Sequence, residues 1–409
     1  MGHRLKHPLM PYQRIRSPTK QYYSSKDLNM NWLIKLKLHN MLVFFFIGFV
    51  ALEFFSFVLV SANMLLFNET PKLYRKQLKE VSTVSRNWWT ERELWGAWHK
   101  RNAVAQHVES CFSVEYRSNS DGARDKEFSG KTSDSTYVLL GDSFAEGFGV
   151  EFDKTAHRLI ESITGTELLN FGTAGDFGPL QYWLIYENLA KKYPHDGLVI
   201  FFLPANDFTD NDYDFWKGTQ FTELTRTERY RPYYKRINST EYEYFIPANS
   251  IPRDTLSTLN KVEFALLDNF WSANVLRTIK KILFAQQAQA KPSTYSGYFN
   301  PTLEQQEAAI YFIEKIISTT PAKKILVVSI PTQADFDFFA NGAKREGMHW
   351  WASFKNLERL SNKNIRFLDL IDHKVDNSQS LFLPCDSHWS PQGNQWAAKI
   401  ISRELVILP

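Results

Sequence analysis

The chain has 409 residues, 44% of them apolar and 22% charged, with only 2 cysteines. At roughly 150 residues per domain, this length fits two or three units or one α/β domain with insertions. The composition argues against a disordered chain, a collagen-like repeat and a polytopic membrane protein, and two cysteines exclude a disulfide scaffold or a four-cysteine metal site. The formal net charge of +4 is unevenly spread. Residues 1–40 hold eight basic side chains (Arg4, Lys6, Arg14, Arg16, Lys20, Lys26, Lys35, Lys37) against Asp27 alone, a net of +7 that leaves −3 on the rest. A mildly acidic body does not suit a phosphate backbone, so no nucleic-acid partner is expected.

The basic stretch at 1–40 reads as a tail because an apolar run follows at 41–67, MLVFFFIGFVALEFFSFVLVSANMLLF. Within it, residues 41–60 carry one charge, Glu53. As a helix these twenty residues rise about 30 Å, the thickness of the hydrocarbon layer. A buried core helix would show a polar face, and this one shows almost none. A single transmembrane anchor over 41–67 is therefore expected, in contact with the lipid bilayer. The Lys/Arg excess before it places the N-terminus in the cytoplasm and the body outside, in the periplasm if the cell is Gram-negative. Val60-Ser61-Ala62 resembles a cleavage site for a signal peptide. The apolar run is long and the preceding basic region is 40 residues, which favours an uncleaved anchor. Glu53 reads either as facing a partner helix or as inert.

Residues 68–130 form a polar linking segment with Trp88, Trp89, Trp95 and Trp98 in one predicted helical stretch. Tryptophans at that spacing read as packing more readily than as a surface for stacking sugars. From 136 onward, short apolar runs alternate with helical patterns. TYVLL (136–140), ELLNF (167–171), GLVIFFL (197–203), KILVVSI (324–330) and IRFLDL (365–370) read as fully buried strands. Helices are predicted over 180–192, 303–319, 349–362 and 392–405. The alternation implies a three-layer α/β/α fold with a roughly five-stranded parallel sheet, functional loops lying at the strand C-terminal ends. The domain runs over 131–409, with an insertion at about 208–300 rich in Tyr, Phe and Arg that reads as shaping a substrate site.

Four groups carry chemistry. Gly141-Asp142-Ser143 follows the first strand, where a serine hydroxyl is exposed beside helix N–H groups. The G-x-S-x-G elbow is absent, because Ala145 stands at its last position. Asp386-Ser387-His388-Trp389 offers a base for a serine nucleophile and a carboxylate to orient that base. Asn170-Phe171-Gly172-Thr173-Ala174-Gly175 and Asn206-Asp207 follow the second and third strands and could supply oxyanion donors, from the Gly175 N–H and the Asn206 amide. Taken singly, each of these groups reads as a turn.

Their joint order resembles the SGNH (GDSL-like) hydrolase superfamily: Gly141-Asp142-Ser143-Phe144-Ala145-Glu146-Gly147, then 170–175, then Pro204-Ala205-Asn206-Asp207, then Asp386-Ser387-His388. The resemblance covers roughly 135–207 and 301–405. It implies Ser143 as nucleophile, His388 as base and Asp386 as the group orienting it, with the oxyanion held by the Ser143 N–H, the Gly175 N–H and the Asn206 amide. The sequence departs from the family pattern in two places. Pro204 stands where the third block usually has Gly, and the usual D-x-x-H ending would place Cys385 where Asp is expected. The D-x-H-W ending instead resembles the branch containing alginate O-acetyltransferase-like proteins, associated with exopolysaccharide acetylation.

The remaining constellations are weaker. Asp207, Asp210, Asn211, Asp212 and Asp214 lack EF-hand spacing and read as a solvated loop, so no metal and no organic cofactor is expected. Cys111 and Cys385 could pair in an oxidising compartment, while two separate buried thiols read equally well. His157, His195 and His373 are expected on surface turns. The chain thus reads as a membrane-anchored extracytoplasmic serine esterase or O-acyltransferase. Its partners would be an acylated or acceptor glycan and, for transfer, a membrane acyltransferase that delivers the acyl donor. The rival reading is a non-catalytic polysaccharide-binding or assembly module with a vestigial site.

Overall fold

In the computed structural model the described residues are 25–61, 84–109, 111–128, 135–217, 220–221, 224–252, 262, 265–267, 269–277, 279, 296–344, 348–359, 362–373, 375 and 377–408. The tail up to residue 24, the cleavage position at Ala62, residues 62–67 of the anchor, residues 68–83 of the linking segment and parts of the insertion lie outside them.

Helix α1 (Ser25–Ser61) begins inside the basic tail and contains the apolar run as far as Ser61. Its stretch Ile34–Leu59 is long and apolar enough to cross a membrane. The rings point outward, Phe44 being 74% and Phe45 70% exposed.

Two antiparallel hairpins follow: β1 (Trp89–Glu93) with β2 (Gly96–His99), and β3 (Val104–Glu109) with β4 (Phe112–Arg117). Here the structure corrects the helix expected around the tryptophans. Trp89 lies in β1, Trp98 in β2, and Trp95 in the turn between them. The physical reason is Gly96, which holds φ +93, a backbone state a helix cannot use. The hairpin turns there, and its register slips between Thr90 and Glu93. Trp88, Trp95 and Trp98 are buried, which agrees with the packing role.

The main body runs β5 (Thr136–Leu140), α2 (Ser143–Glu146), α3 (Ala156–Thr164), β6 (Glu167–Asn170), α4 (Pro179–Asn188), β7 (Gly197–Phe202) and α5 (Pro204–Asp207). The insertion contributes an antiparallel hairpin, β8 (Tyr233–Arg236) with β9 (Tyr242–Phe245). The chain then continues through α6 (Leu303–Thr319), β10 (Lys324–Ser329), α7 (Gln333–Ala340), α8 (His349–Leu357), β11 (Asn364–Asp369) and α9 (Pro391–Ile407).

The sheet has the order β6-β5-β7-β10-β11, with every pair parallel. All five strands fall on the runs expected from sequence. Successive side chains point to opposite faces of a strand. Val138, Leu140, Leu198, Ile200 and Val327 cluster with α4, α6 and α8, through residues such as Leu180, Phe312 and Trp350. Leu139, Val199, Phe201, Leu326 and Val328 cluster with α3 and α9, through Ile160, Ala397 and Ile401. Burial on both faces is why these strands show no polar alternation in sequence.

Helix starts follow local capping. Thr302 and Gln305 form a capping box at α6, and the Ser390 side chain accepts from the Gly393 N–H at α9, with Pro391 in the first turn. The short helices α3 and α7 have no counterpart in the sequence reading. Consecutive strands β6 and β7 lie on opposite sides of β5, so a crevice opens beyond the C-terminal ends of β5 and β7.

Candidate active site

Ser143 is the first residue of α2, immediately beyond that crevice. Asp142 caps the helix, its Oδ1 accepting from the Phe144 N–H at 2.9 Å. Ala145, in place of the elbow's last glycine, works because the neighbouring loop gives way. A Cβ on Gly172 would come within 2.5 Å of the Ala145 Cβ and 2.6 Å of the Glu146 nitrogen, so only glycine lets the loop after β6 pass this closely.

His388 reaches the same point from a loop 245 positions away. Its Nε2 lies 2.6 Å from Ser143 Oγ. On the other side of the ring, Nδ1 is hydrogen-bonded to Asp386 Oδ1. With the carboxylate accepting from Nδ1–H, Nε2 is left as an acceptor and the serine hydroxyl donates to it. The loop is a tight reversal. Leu383 N–H donates to His388 O at 2.8 Å, His388 N–H donates to Asp386 Oδ1 at 2.9 Å, and Phe382 bridges Trp389. The imidazole stacks on Phe148, ring centroids 4.1 Å apart, and leans on Phe144 at 5.0 Å. Burial pushes the Asp386 carboxyl up, but the hydrogen bond and charge of His388 outweigh it and hold the group below the ordinary aspartate value.

Cys385, which stands where a D-x-x-H ending would want its carboxylate, is bonded to Cys111, with a Cα–Cα distance of 5.7 Å. Among the two thiol readings, pairing is the one the structure adopts. The bond ties the histidine loop to the turn of the β3–β4 hairpin, one residue before β4. Behind Phe148 the same hairpin supplies His107, whose ring meets Phe148 edge-on at 4.7 Å and whose Nδ1 is 2.9 Å from the Tyr116 hydroxyl. Burial drives the His107 pKa down to about 4.

The residues invisible to sequence reasoning sit one layer back. Glu146, at the end of α2, is fully buried. It accepts from Trp88 Nε1 at 3.1 Å and from the Ala174 N–H, and lies 3.4 Å from His99 Nε2. His99 Nε2 in turn is 3.0 Å from Thr173 Oγ1. The loop carrying Gly175 is therefore fixed through Ala174 and Thr173 by residues of the Trp-rich hairpins. Burial raises the Glu146 carboxyl, but His99, Arg124 and the Ala174 N–H together bring it below the ordinary value. Arg124, also buried, donates to the carbonyls of Glu146 (3.1 Å), Gly147 and Val150 (2.6 Å). Glu146 falls inside the first quoted block, yet nothing in its spacing marks it. Gly96 and the apolar–polar alternation of Phe112–Arg117 were the available sequence signals for the hairpins.

Gly175 holds φ +117 and is half-buried. Asn206 lies on α5, where Pro204 occupies the first turn. Its Nδ2 donates to Asp210 Oδ2 at 2.9 Å and reaches Asp142 Oδ2 at 3.5 Å. The amide is thus adjacent to the serine through the cap of α2. Burial raises the Asp142 carboxyl to about 6, against the opposing hydrogen bonds of Phe144 N–H and Asn206 and the charge of His388.

The acidic stretch is not the solvated loop expected. Asp207, Asp210 and Asn211 are buried, and protein donors meet the two carboxylates there. Asp207 accepts from Tyr182 OH and Leu203 N–H, each at 2.8 Å, and burial pushes its carboxyl well above the usual range. Asn211 bridges Leu180 N–H and Gln181, and Asp212 accepts from Gln305 at 2.8 Å. Nor do two of the histidines lie on surface turns. His157 is buried on α3 beside Asn170 and Asp125, and His195 is buried against Tyr186 OH and Tyr193 O.

No protein-family model and no curated protein matches the chain by sequence. Among solved structures, similar chains include a G-D-S-L family lipolytic protein from Desulfitobacterium hafniense DCB-2. That chain has 14% identity and a TM-score of 0.32, covering 66% of this chain and 99% of the other. A family 2 carbohydrate esterase with a carbohydrate-binding domain from Corynascus thermopiles (Myceliophthora fergusii) has 11% identity and a TM-score of 0.34, with 68% of each chain covered. A lipase/acylhydrolase from Enterococcus faecalis has 12% identity and a TM-score of 0.34, covering 66% of this chain and 95% of the other. The chemistry below rests on the atoms of this chain.

Proposed function

We propose that the protein is a membrane-anchored serine esterase or O-acyltransferase with its body outside the cytoplasm. The observation that carries the reading is the 2.6 Å contact between Ser143 Oγ and His388 Nε2, with Asp386 on the far nitrogen of the same ring. Side chains so distant in sequence meet in this order for one chemical purpose. A serine hydroxyl is a weak nucleophile until a base takes its proton, and a neutral imidazole of fixed tautomer is the base best suited near neutral pH.

In the proposed reaction Ser143 Oγ attacks an ester carbonyl while His388 Nε2 accepts the hydroxyl proton. Asp386 stabilises the imidazolium that forms. The tetrahedral oxyanion takes hydrogen bonds from the Ser143 N–H at the start of α2, from the Gly175 N–H and from the Asn206 amide, which turns from its long contact with Asp142. Collapse expels the alcohol, which receives the proton from His388, and leaves an acyl-serine. Water completes hydrolysis, or a sugar hydroxyl completes transfer, with His388 again acting as base. The acyl group is proposed to be acetyl and the alcohol part of a cell-surface polysaccharide. The D-x-H-W ending supports that choice.

A fluorophosphonate probe tests the nucleophile. The full chain should label at Ser143, and Ser143→Ala and His388→Ala should not. Equal labelling of the wild type and Ser143→Ala would end the proposal. Acetate release measured with and without an acceptor glycan separates hydrolysis from transfer.

A further inference from the structure

Glu53 is the one charge within 41–60, and catalysis gives it no task. In the structure its carboxylate leaves α1 sideways. It accepts hydrogen bonds from the Trp271 N–H at 2.7 Å, the Ser272 N–H at 3.2 Å and the Ser272 hydroxyl. These groups belong to the insertion. Residues 265–267 are helical, Phe270 is not, and 271–277 are helical again. A helix break leaves carbonyls on one side and N–H groups on the other without partners. Here the carbonyls of Leu267 and Phe270 accept from Asn274 Nδ2, at 2.9 and 2.8 Å, and the Glu53 carboxylate accepts from the N–H groups of Trp271 and Ser272. Asn274 is only 2% exposed. These four backbone groups at the break thus have protein partners.

The contact lies deep along α1. At about 1.5 Å per residue, Glu53 sits about 10 Å, and Phe49 about 16 Å, inside the C-terminal end of 41–60. Phe49 meets Phe270 edge-on at 5.5 Å, Phe57 meets Trp271 at 5.3 Å, and Ser56 is buried on the same face. The exposed side chains among the segment's described residues are Val262 (54%), Leu266 (45%), Leu276 (65%) and Ile279 (43%), with Ala265 and Asn269. Irregular backbone is tolerated at membrane depth only where protein covers it, and lipid-facing side chains there must be apolar. Protein covers the break here, and the described outward side chains are apolar except Asn269, whose amide donates to the Ala265 carbonyl at 2.6 Å, and Arg277, half-buried on a chain long enough to carry its charge to the headgroups; Glu263 and Asp268 are the other charges in this stretch of the sequence.

We infer that the described part of the insertion at 265–267 and 269–277 is a re-entrant membrane element. It enters the outer half of the bilayer beside α1, is fastened there by Glu53, and has its outward apolar side chains covered by lipid acyl chains. The inference rests on reading α1 as a membrane span and is independent of the catalytic assignment. It predicts that the body is held to the bilayer at two points, which fixes its orientation.

The test uses the full chain in vesicles of phosphatidylcholine and phosphatidylglycerol. A nitroxide is attached through a genetically encoded ketone residue at 44, 163, 266 or 276, which leaves the disulfide intact. Collision with oxygen, which partitions into lipid, is compared with collision with a water-soluble nickel chelate. Positions 266 and 276 should match position 44 on α1, with an oxygen-to-nickel ratio several-fold above position 163 on the body surface. Water-like values at 266 and 276 with lipid-like values at 44 overturn the inference and leave the anchor standing. Water-like values at 44 as well overturn both. Protection from both reagents at 266 and 276 means a protein covers them, a second copy of this chain included, and also overturns it. Glu53→Leu should raise nickel contact at 276 while 44 is unchanged and the body keeps its thermal transition. An unaltered ratio at 276 removes Glu53 as the fastening.

Discussion

Ser143 and His388 are held by opposite means. Ser143 sits where a central strand becomes a helix, between two fully buried strands, and its position follows from the sheet. His388 sits on a short reversal outside the sheet, and its position depends on a disulfide, two phenylalanine rings and a hairpin that precedes the body in sequence. A scaffold-held group fails only when the fold fails, whereas a loop-held group can be displaced while the fold survives. Perturbing the two halves should therefore give different signatures.

The largest effect is expected at the loop. Asp386→Asn keeps the size of the side chain but favours the wrong imidazole tautomer, and should lower kcat by about 10⁴-fold with the thermal transition little changed. A loss below tenfold would mean that another group orients His388. On the scaffold side, Asn206→Ala should cost about 10²–10³-fold in kcat with a small change in KM. A change confined to KM would place the amide in ground-state binding instead.

Opening the Cys111–Cys385 bond should sharpen the contrast. Cys111→Ser is expected to cost about 2–4 kcal/mol of stability, read from thermal or urea unfolding. It should lower fluorophosphonate labelling of folded protein as the His388 loop loosens. Unchanged labelling would show that Phe144 and Phe148 suffice to hold the ring.

The smallest effect is a pH dependence. His107 has a folded pKa of about 4, depressed by burial from an ordinary value near 6.5. Its neutral form therefore stabilises the fold fully above pH about 6.5, and that contribution is lost as pH falls towards about 4. The loss approaches about 3 kcal/mol. His107→Gln should flatten the melting temperature between pH 6.5 and 4. An unchanged slope would move the effect to another group.

The same division explains what the sequence made legible. The strands 136–140 and 324–329 announced themselves because burial on both faces forces continuous apolar runs, and the order Ser143, Gly175, Asn206, His388 could be read because each follows a strand or precedes the last helix. The supports of the loop could not be read that way. Trp88, Trp89, Trp95 and Trp98 have near-helical spacing, and only Gly96 betrays the hairpin. Asp207 and Asp210 look solvated by composition, yet they are buried because Tyr182, Leu203 and Asn206 bring donors to them. Contacts such as Glu146 with Trp88 and His99 join elements about fifty residues or more apart, and no local pattern encodes them.

Arg124 sets where the chain can be cut. Its guanidinium closes over three carbonyls of the segment that follows Ser143, and Trp88 and His99 guard the Glu146 carboxylate beside it. A fragment begun at residue 131 would keep every proposed reacting group and all five strands of the sheet. It would also leave the buried Glu146 carboxylate with the Ala174 N–H but without Trp88 and His99, and the Gly175 loop without the His99 contact to Thr173. A fragment begun at residue 84 keeps these contacts and is the piece to purify first.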